Sequence, residues 1–337
     1  MNDSMFEDES LLPPLTVAEN ISISLKDFAS SEHAEKFGHI IANTVCTISR
    51  ILDLERLDGI TVAFNYEDAL LQLDRGCQIS RPLSRTSDGH NVGIAMAAAV
   101  LRTGVVKAHI LLWAPTVLAL ESSSNEGFWP ALYILAHECG HVEDLKLRDV
   151  CFPGTILQNQ ITDPEKVILE RFVEVLWEEY AACRACAIFG KAQTAIIEKS
   201  FIEVLIDSRK RANAAILSYR FHRSIERVLE EACVPLCEPL RLAAYLFGHL
   251  DGLNTSLDDA PHARDLLSGS SYVSFINRLR DVLRGLWSNR GHWTSIDEFD
   301  PLRSIVRDLL EDCGIFLQLQ ADGSLYINIP YRSETMP

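Results

Sequence analysis

Between about His33 and Leu54, the apolar residues Phe37, Ile40, Ile41, Val45, Ile48 and Ile51 recur at the spacing of one helix face, which predicts an amphipathic helix. A short strand is expected at Ile60 to Phe64, followed by two β-compatible runs, Val92 to Leu101 and Val105 to Trp113. Arg102, Thr103 and Gly104 stand between those runs, a length and a glycine that suit a hairpin. After the polar loop Glu121 to Gly127, a helix is expected from near Pro130, a good first-turn residue, through ALYILAHECGHVEDLKLRD. Helical patterns then cover Pro164 to Phe189, Thr194 to Cys233, Pro239 to Leu253 and Tyr272 to Trp287. Near the C-terminus, GIFLQLQADGSLYINIP alternates apolar and polar residues around Asp322 and Gly323, which predicts a second hairpin.

A small early β-sheet followed by many helices defines an α+β class, with a mainly helical C-terminal region ending in a β-hairpin. Residues 1–15 read as a solvated tail closed by Pro13 and Pro14, residues 16–190 as the first domain, and residues 191–337 as a helical region with the terminal hairpin. Composition agrees with folded domains: 47% of residues are hydrophobic and 23% charged, which excludes a dominantly disordered chain. Asp and Glu number 47 against 31 Lys and Arg, a net charge of −16 that repels nucleic acid and anionic membrane. The densest basic run, Arg209 to Arg211, lies in a helical pattern and reads as a solvated face. The N-terminal MNDSMFEDESLLPP lacks the basic and apolar regions of a signal peptide, and Arg102 and Lys107 interrupt the longest apolar stretch. Nine cysteines, an odd number without the spacing of a disulfide framework, read as reduced thiols. The expectation is a soluble cytoplasmic protein with no nucleic-acid or membrane partner.

Inside the segment expected to be helical stands His137-Glu138-Cys139-Gly140-His141, an H-E-x-x-H pattern. Histidines at i and i+4 share one helix face, so both imidazoles can reach a single tetrahedral Zn²⁺. Glu138 is then placed beside the metal, where its carboxylate can take a proton from an activated water and pass it to a leaving amine. The plainer reading is a chance pair of surface or core histidines; the helical context and the uncharged Cys139 and Gly140 favour the zinc site.

A catalytic zinc needs a third protein ligand with one position left open. A further histidine six residues after His141 is excluded, because that residue is Leu147. LERFVEVLWEEYAACRAC offers Glu170, Glu174, Glu178 and Glu179 instead. Ile168, Phe172, Val175, Leu176, Ala182, Cys183 and Cys186 define an apolar stripe, and Glu179 lies within it. A lone carboxylate on such a stripe is costly unless paired or bound to metal, so Glu179 is the expected ligand and Glu178 the next choice. The plainer readings are a buried pair with Arg184 for Glu179 and a solvated face for Glu178.

HECGH followed by a helix carrying E-x-x-A resembles the gluzincin class of zinc metallopeptidases, with the compact ImmA/IrrE-like and minigluzincin proteins nearest in style. The resemblance covers about residues 60 to 190. It implies a zincin-like fold and a zinc-dependent peptidase with His137, His141 and Glu179 as ligands and Glu138 as general base. It also implies that a strand beside the cleft, Val105 to Trp113 or its hairpin partner, pairs with an extended peptide or protein substrate. The chain departs from the pattern at Glu143, where an apolar residue is usual, and at Cys183, where several members carry an aspartate. The long connection from His141 to Glu179 implies an insertion around Cys151 to Asp163.

Hydrolysis also benefits from a donor to the tetrahedral oxyanion. His249 is the first candidate, followed by Tyr219 and His222 and then Tyr180, although each more commonly packs or caps a helix. The cysteine pairs 183/186 and 233/237 could form a second metal or redox site, but buried thiols on an apolar stripe pack. A second functional class stays open: a zinc-stabilised regulatory or protein-interaction module with little turnover, bound through residues 191–337. The intact Glu138 favours the enzyme, since a structural zinc has no need of a base.

Overall fold

The computed structural model of the protein describes residues 12–78, 82–85, 93–158 and 161–336. Among these the chain forms two units, one within 1–85 and 94–146 and the other mainly within 147–337. The first unit holds β1 (Ser22–Lys26), α1 (Ser31–Ile48), β2 (Leu57–Ala63), α2 (Tyr66–Gln72), β3 (Ala95–Arg102), β4 (Val105–Trp113) and α3 (Ala114–Val117). Most of α4 (Phe128–Cys151) also belongs to it. The sheet order is β1-β2-β4-β3, with β1, β2 and β4 parallel and β3 antiparallel to β4.

One face of the interior strands β2 and β4 is apolar: Ile60 and Val62 are fully buried, as are their register partners Ile110 and Leu112. The β3–β4 turn closes on Thr103 and Gly104, both at positive φ, as a two-residue hairpin turn requires. α1 starts where the Ser30 side chain accepts the His33 N–H and buries Phe37, Ile41, Val45 and Ile48, four of the residues that predict it. Across β2 and β4 runs a polar chain. His109 is bonded to Asp58 at 3.1 Å through Nδ1 and to Thr61 at 2.9 Å through Nε2, and Arg102 forks onto Asp58. Gly59 makes room for it, since a Cβ there would stand 3.1 Å from the His109 ring.

The second unit contains α5 (Pro164–Cys186), α6 (Thr194–His222), α7 (Ile225–Gly252), α8 (Pro261–Ser268), α9 (Val273–Ser288), α10 (Asp300–Asp312) and the hairpin of β5 (Phe316–Leu319) and β6 (Leu325–Asn328). Its core gathers Trp177, Tyr180, Phe201, Leu240, Tyr272, Leu279 and Leu309. α5 is opened by Asp163, whose carboxylate accepts from the Glu165 and Lys166 N–H groups, with Pro164 in the first turn.

The α+β class, the early hairpin, the helix around the H-E-x-x-H motif and the terminal hairpin all lie where the pattern puts them. The structure corrects the break between the middle helices. The expected segments Thr194 to Cys233 and Pro239 to Leu253 are instead α6 and α7, divided at Arg223, which adopts a left-handed backbone, and Ser224, which caps α7. Pro235 and Pro239 lie inside α7, four apart, so the lost N–H bonds fall on one face of a long buried helix. β1, α2, α8 and α10 carry no sequence expectation. The expected tail, residues 1–15, lies largely outside the described residues, as does Val92 at the start of the run that becomes β3. No helix among the described residues is long and apolar enough to cross a membrane.

Candidate metal centre

α4 carries the motif because its sequence is helical for about two and a half turns on either side of it, and because Ala136, Cys139, Gly140 and Val142 are buried around the two histidines. His137 is buried and His141 half-buried. Their rings stand edge to face, 4.7 Å between centroids, with the two Nε2 atoms 3.1 Å apart. Nitrogens so spaced occupy two corners of a tetrahedron around an ion about 2.0–2.1 Å from each. At that separation one imidazole can donate to the other, or both can turn their Nε2 lone pairs to a common cation.

Glu179 of α5 supplies the third donor: its carboxylate and the two imidazoles each offer one ligand atom, and these atoms lie within 4.8 Å of one another. Two neutral nitrogens and one carboxylate are borderline-hard donors that suit Zn²⁺. A His137, His141 and Glu179 group of this kind could bind a metal ion.

The other acidic residues of α5 are engaged elsewhere or face solvent. Glu178 pairs with Arg148 and Glu170 with Arg303 at 2.8 Å, while Glu174 is exposed. The alternative partner of Glu179, Arg184, turns to the Tyr180 hydroxyl and to Asp251. On α7, Arg241 is forked onto the buried Glu238, and Glu179 is among the acidic groups whose charge acts on that guanidinium.

Glu138, next to His137, is buried. Its negative charge reaches the hydroxyl of Tyr66, at the start of α2, whose pKa is raised by burial first and then by Glu138. Nothing in the spacing of the sequence marks Tyr66. Glu143, which departs from the gluzincin pattern, accepts the Asp53 N–H at 2.9 Å and so ties α4 to the loop before β2.

Of the candidate oxyanion donors, His249 is fully buried, with its Nε2 at 3.1 Å from Thr194 Oγ1. The Tyr180 hydroxyl donates to Asp251 at 2.7 Å. Tyr219 and His222 pack edge to face at the end of α6, where His222 Nδ1 accepts the Ser224 N–H. All nine cysteines are free; Cys183 and Cys186 are buried in α5, and Cys233 and Cys237 in α7.

Burial lowers the His249 pKa from 6.5 to about 4. The folded state therefore resists a proton that the unfolded chain takes up, and stability present above pH 6.5 is lost as pH falls through 4. The full loss is about 3 kcal/mol. Urea unfolding at pH 7, 5.5 and 4.5 is expected to show a steeper acid decline for the wild type than for His249→Gln; parallel curves would refute this.

Of the two strands singled out for substrate pairing, β4 is paired on both sides, by β2 and β3, and offers no free edge. β3 is the edge strand. Arg75 closes its far end, accepting the Leu101 N–H at 2.8 Å and donating from Nε to the Ala99 carbonyl at 2.9 Å. Among the described residues, none pairs with its outer edge at Ala95 and Ala97.

No protein-family model, no curated protein and no solved structure matches this chain.

Proposed function

We propose that the chain is a zinc-dependent peptidase of the gluzincin type, with a zincin-like fold within residues 16–190. The observation that carries this reading is the convergence of His137, His141 and Glu179 on one point, with a buried carboxylate, Glu138, next along the helix. A zinc ion held there would polarise the scissile carbonyl and make water a nucleophile at neutral pH. His137 and His141 would hold it through imidazole nitrogens, and the Glu179 carboxylate would offset part of its charge. Glu138 serves as general base: its carboxylate takes the proton from the attacking water and returns it to the departing amine nitrogen. The edge of β3 near Ala95 and Ala97 binds the peptide in extended form through main-chain hydrogen bonds, and its run of alanines imposes little side-chain selection. Nine free thiols support a reducing, cytoplasmic setting.

Elemental analysis of the protein purified without added metal tests the reading. About one zinc per chain is expected, lost in Glu179→Ala and retained in Glu178→Ala, whose side chain serves Arg148. Absence of zinc from the wild type after reconstitution would return the two histidines to a packing role. Retention of zinc in Glu179→Ala would remove Glu179 from the ligand set.

A further inference from the structure

Tyr66 is 1% exposed, and its hydroxyl has no hydrogen-bond partner among the described residues. An orphaned buried hydroxyl costs about 1–3 kcal/mol, a cost usually offset by a bound group. Two further observations locate that group. The Tyr66 ring belongs to a buried cluster with Ala98 and Leu111, against which Met96 and Trp113 pack, so it lies against the edge strand β3. The carboxylate of Glu138 exerts the largest charge effect on the hydroxyl, ahead of Arg85 and Glu67. The phenol thus packs in the cluster beneath the strand that would carry an extended peptide, within electrostatic range of the base that would activate the water.

We propose that Tyr66 is a catalytic residue, the hydrogen-bond donor that stabilises the oxyanion of the scissile carbonyl; this rests on the peptidase reading above. As water adds to the carbonyl carbon and Glu138 takes the water proton, the carbonyl π electrons move to oxygen, and the Tyr66 O–H donates to that oxygen without transferring its proton. When the tetrahedral carbon collapses, those electrons re-form the carbonyl as the C–N bond breaks, and the hydrogen bond weakens again. Such a donor must stay protonated, and burial together with the neighbouring carboxylate ensures this by raising the phenol pKa. Arg85 holds the ring in place, its guanidinium 5.7 Å from the Tyr66 centroid and 4.8 Å from that of Trp113, while its charge is balanced by Glu67 at 2.9 Å. The α2 N-cap, where the Asn65 side chain accepts the Asp68 N–H, fixes the backbone from which the ring projects.

The test uses full-length protein loaded with Co²⁺ and methylphosphonate, a tetrahedral anion, as the probe, with binding followed through the visible absorption of the cobalt. Wild type and Tyr66→Phe should each take up one cobalt, melt at similar temperatures and differ about tenfold in methylphosphonate Kd, as expected for one hydrogen bond to a charged oxygen. Equal Kd values in wild type and variant overturn the role of Tyr66 while leaving the metal site standing. Cobalt uptake without phosphonate binding by the wild type overturns it as well, because no donor is then poised for the anion. Failure of the wild type to take up cobalt removes the metal reading itself, and Tyr66 with it.

Discussion

Replacing Glu138 by Gln is expected to lower peptide-bond hydrolysis about 10³-fold, within the range carried by a general base, and to leave the zinc content unchanged. Glutamine keeps the size and most of the polarity of the side chain at a buried position, so the fold around His137 and His141 has little reason to shift. What it removes is the carboxylate beside His137 that is left, once Glu179 serves as a ligand, to accept a proton and give it back. The measurement is release of new N-termini from a mixed peptide digest, followed by mass spectrometry with zinc quantified in parallel. Full activity in the variant would sink the proposed mechanism. Zinc in both proteins with turnover in neither would point to the other class, a zinc-stabilised interaction module, and would leave the ligand set intact.

The group of His137, His141 and Glu179 was legible because two different periodicities intersect in it. The i, i+4 histidines identify themselves on any helix, and Glu179 identifies itself as the carboxylate within the apolar stripe of α5. The competing Glu178 is separated from it by a fact the sequence does not contain, the position of Arg148 on the last turn of α4. Tyr66 was not legible at all. It is a single aromatic residue after a strand, and its significance arises from burial without a partner, which only the folded chain defines.

In the fold, the strongest periodic segments could be read in advance and the joints could not. The break between α6 and α7 falls on FHRSIER, which contains neither glycine nor proline and continues a helical pattern; a left-handed Arg223 and a serine cap end the helix there. The prolines that do look like a break, Pro235 and Pro239, are absorbed in a part of α7 that is buried almost continuously from Ala232 to Leu250. β1 is short and only partly apolar, and its place in the sheet depends on pairing with β2. His249, attractive as a donor on paper, illustrates the same limit: a histidine in a helix carries no sign of whether it will be fully enclosed.

Gly248→Ala is expected to destabilise the protein by about 3–5 kcal/mol, at the severe end for a single added methyl group. A Cβ at Gly248 would stand 2.4 Å from the Tyr180 carbonyl oxygen and 3.0 Å from the Cys183 Cβ. One turn on, a Cβ at Gly252 would meet the Arg184 carbonyl oxygen at 2.4 Å and the Ala187 Cβ at 2.6 Å. Two glycines four apart on α7 therefore seat its backbone directly against that of α5. The obstacle is main-chain oxygen, which no rotamer change can remove, so the two helices must separate. Tyr180 follows Glu179 in the chain, and displacement of α5 there shifts the carboxylate, so zinc affinity is expected to fall together with the melting temperature. Gly285→Ala on α9 is the control: a Cβ there meets no atom within 4 Å, and removing a helical glycine should stabilise by up to about 1 kcal/mol. Urea unfolding of the two variants alongside zinc titration decides the matter. If Gly248→Ala matched Gly285→Ala in stability, the close approach of α7 to α5 would be absent in solution. Loss of stability with zinc affinity unchanged would instead show that the position of Glu179 does not depend on that seam.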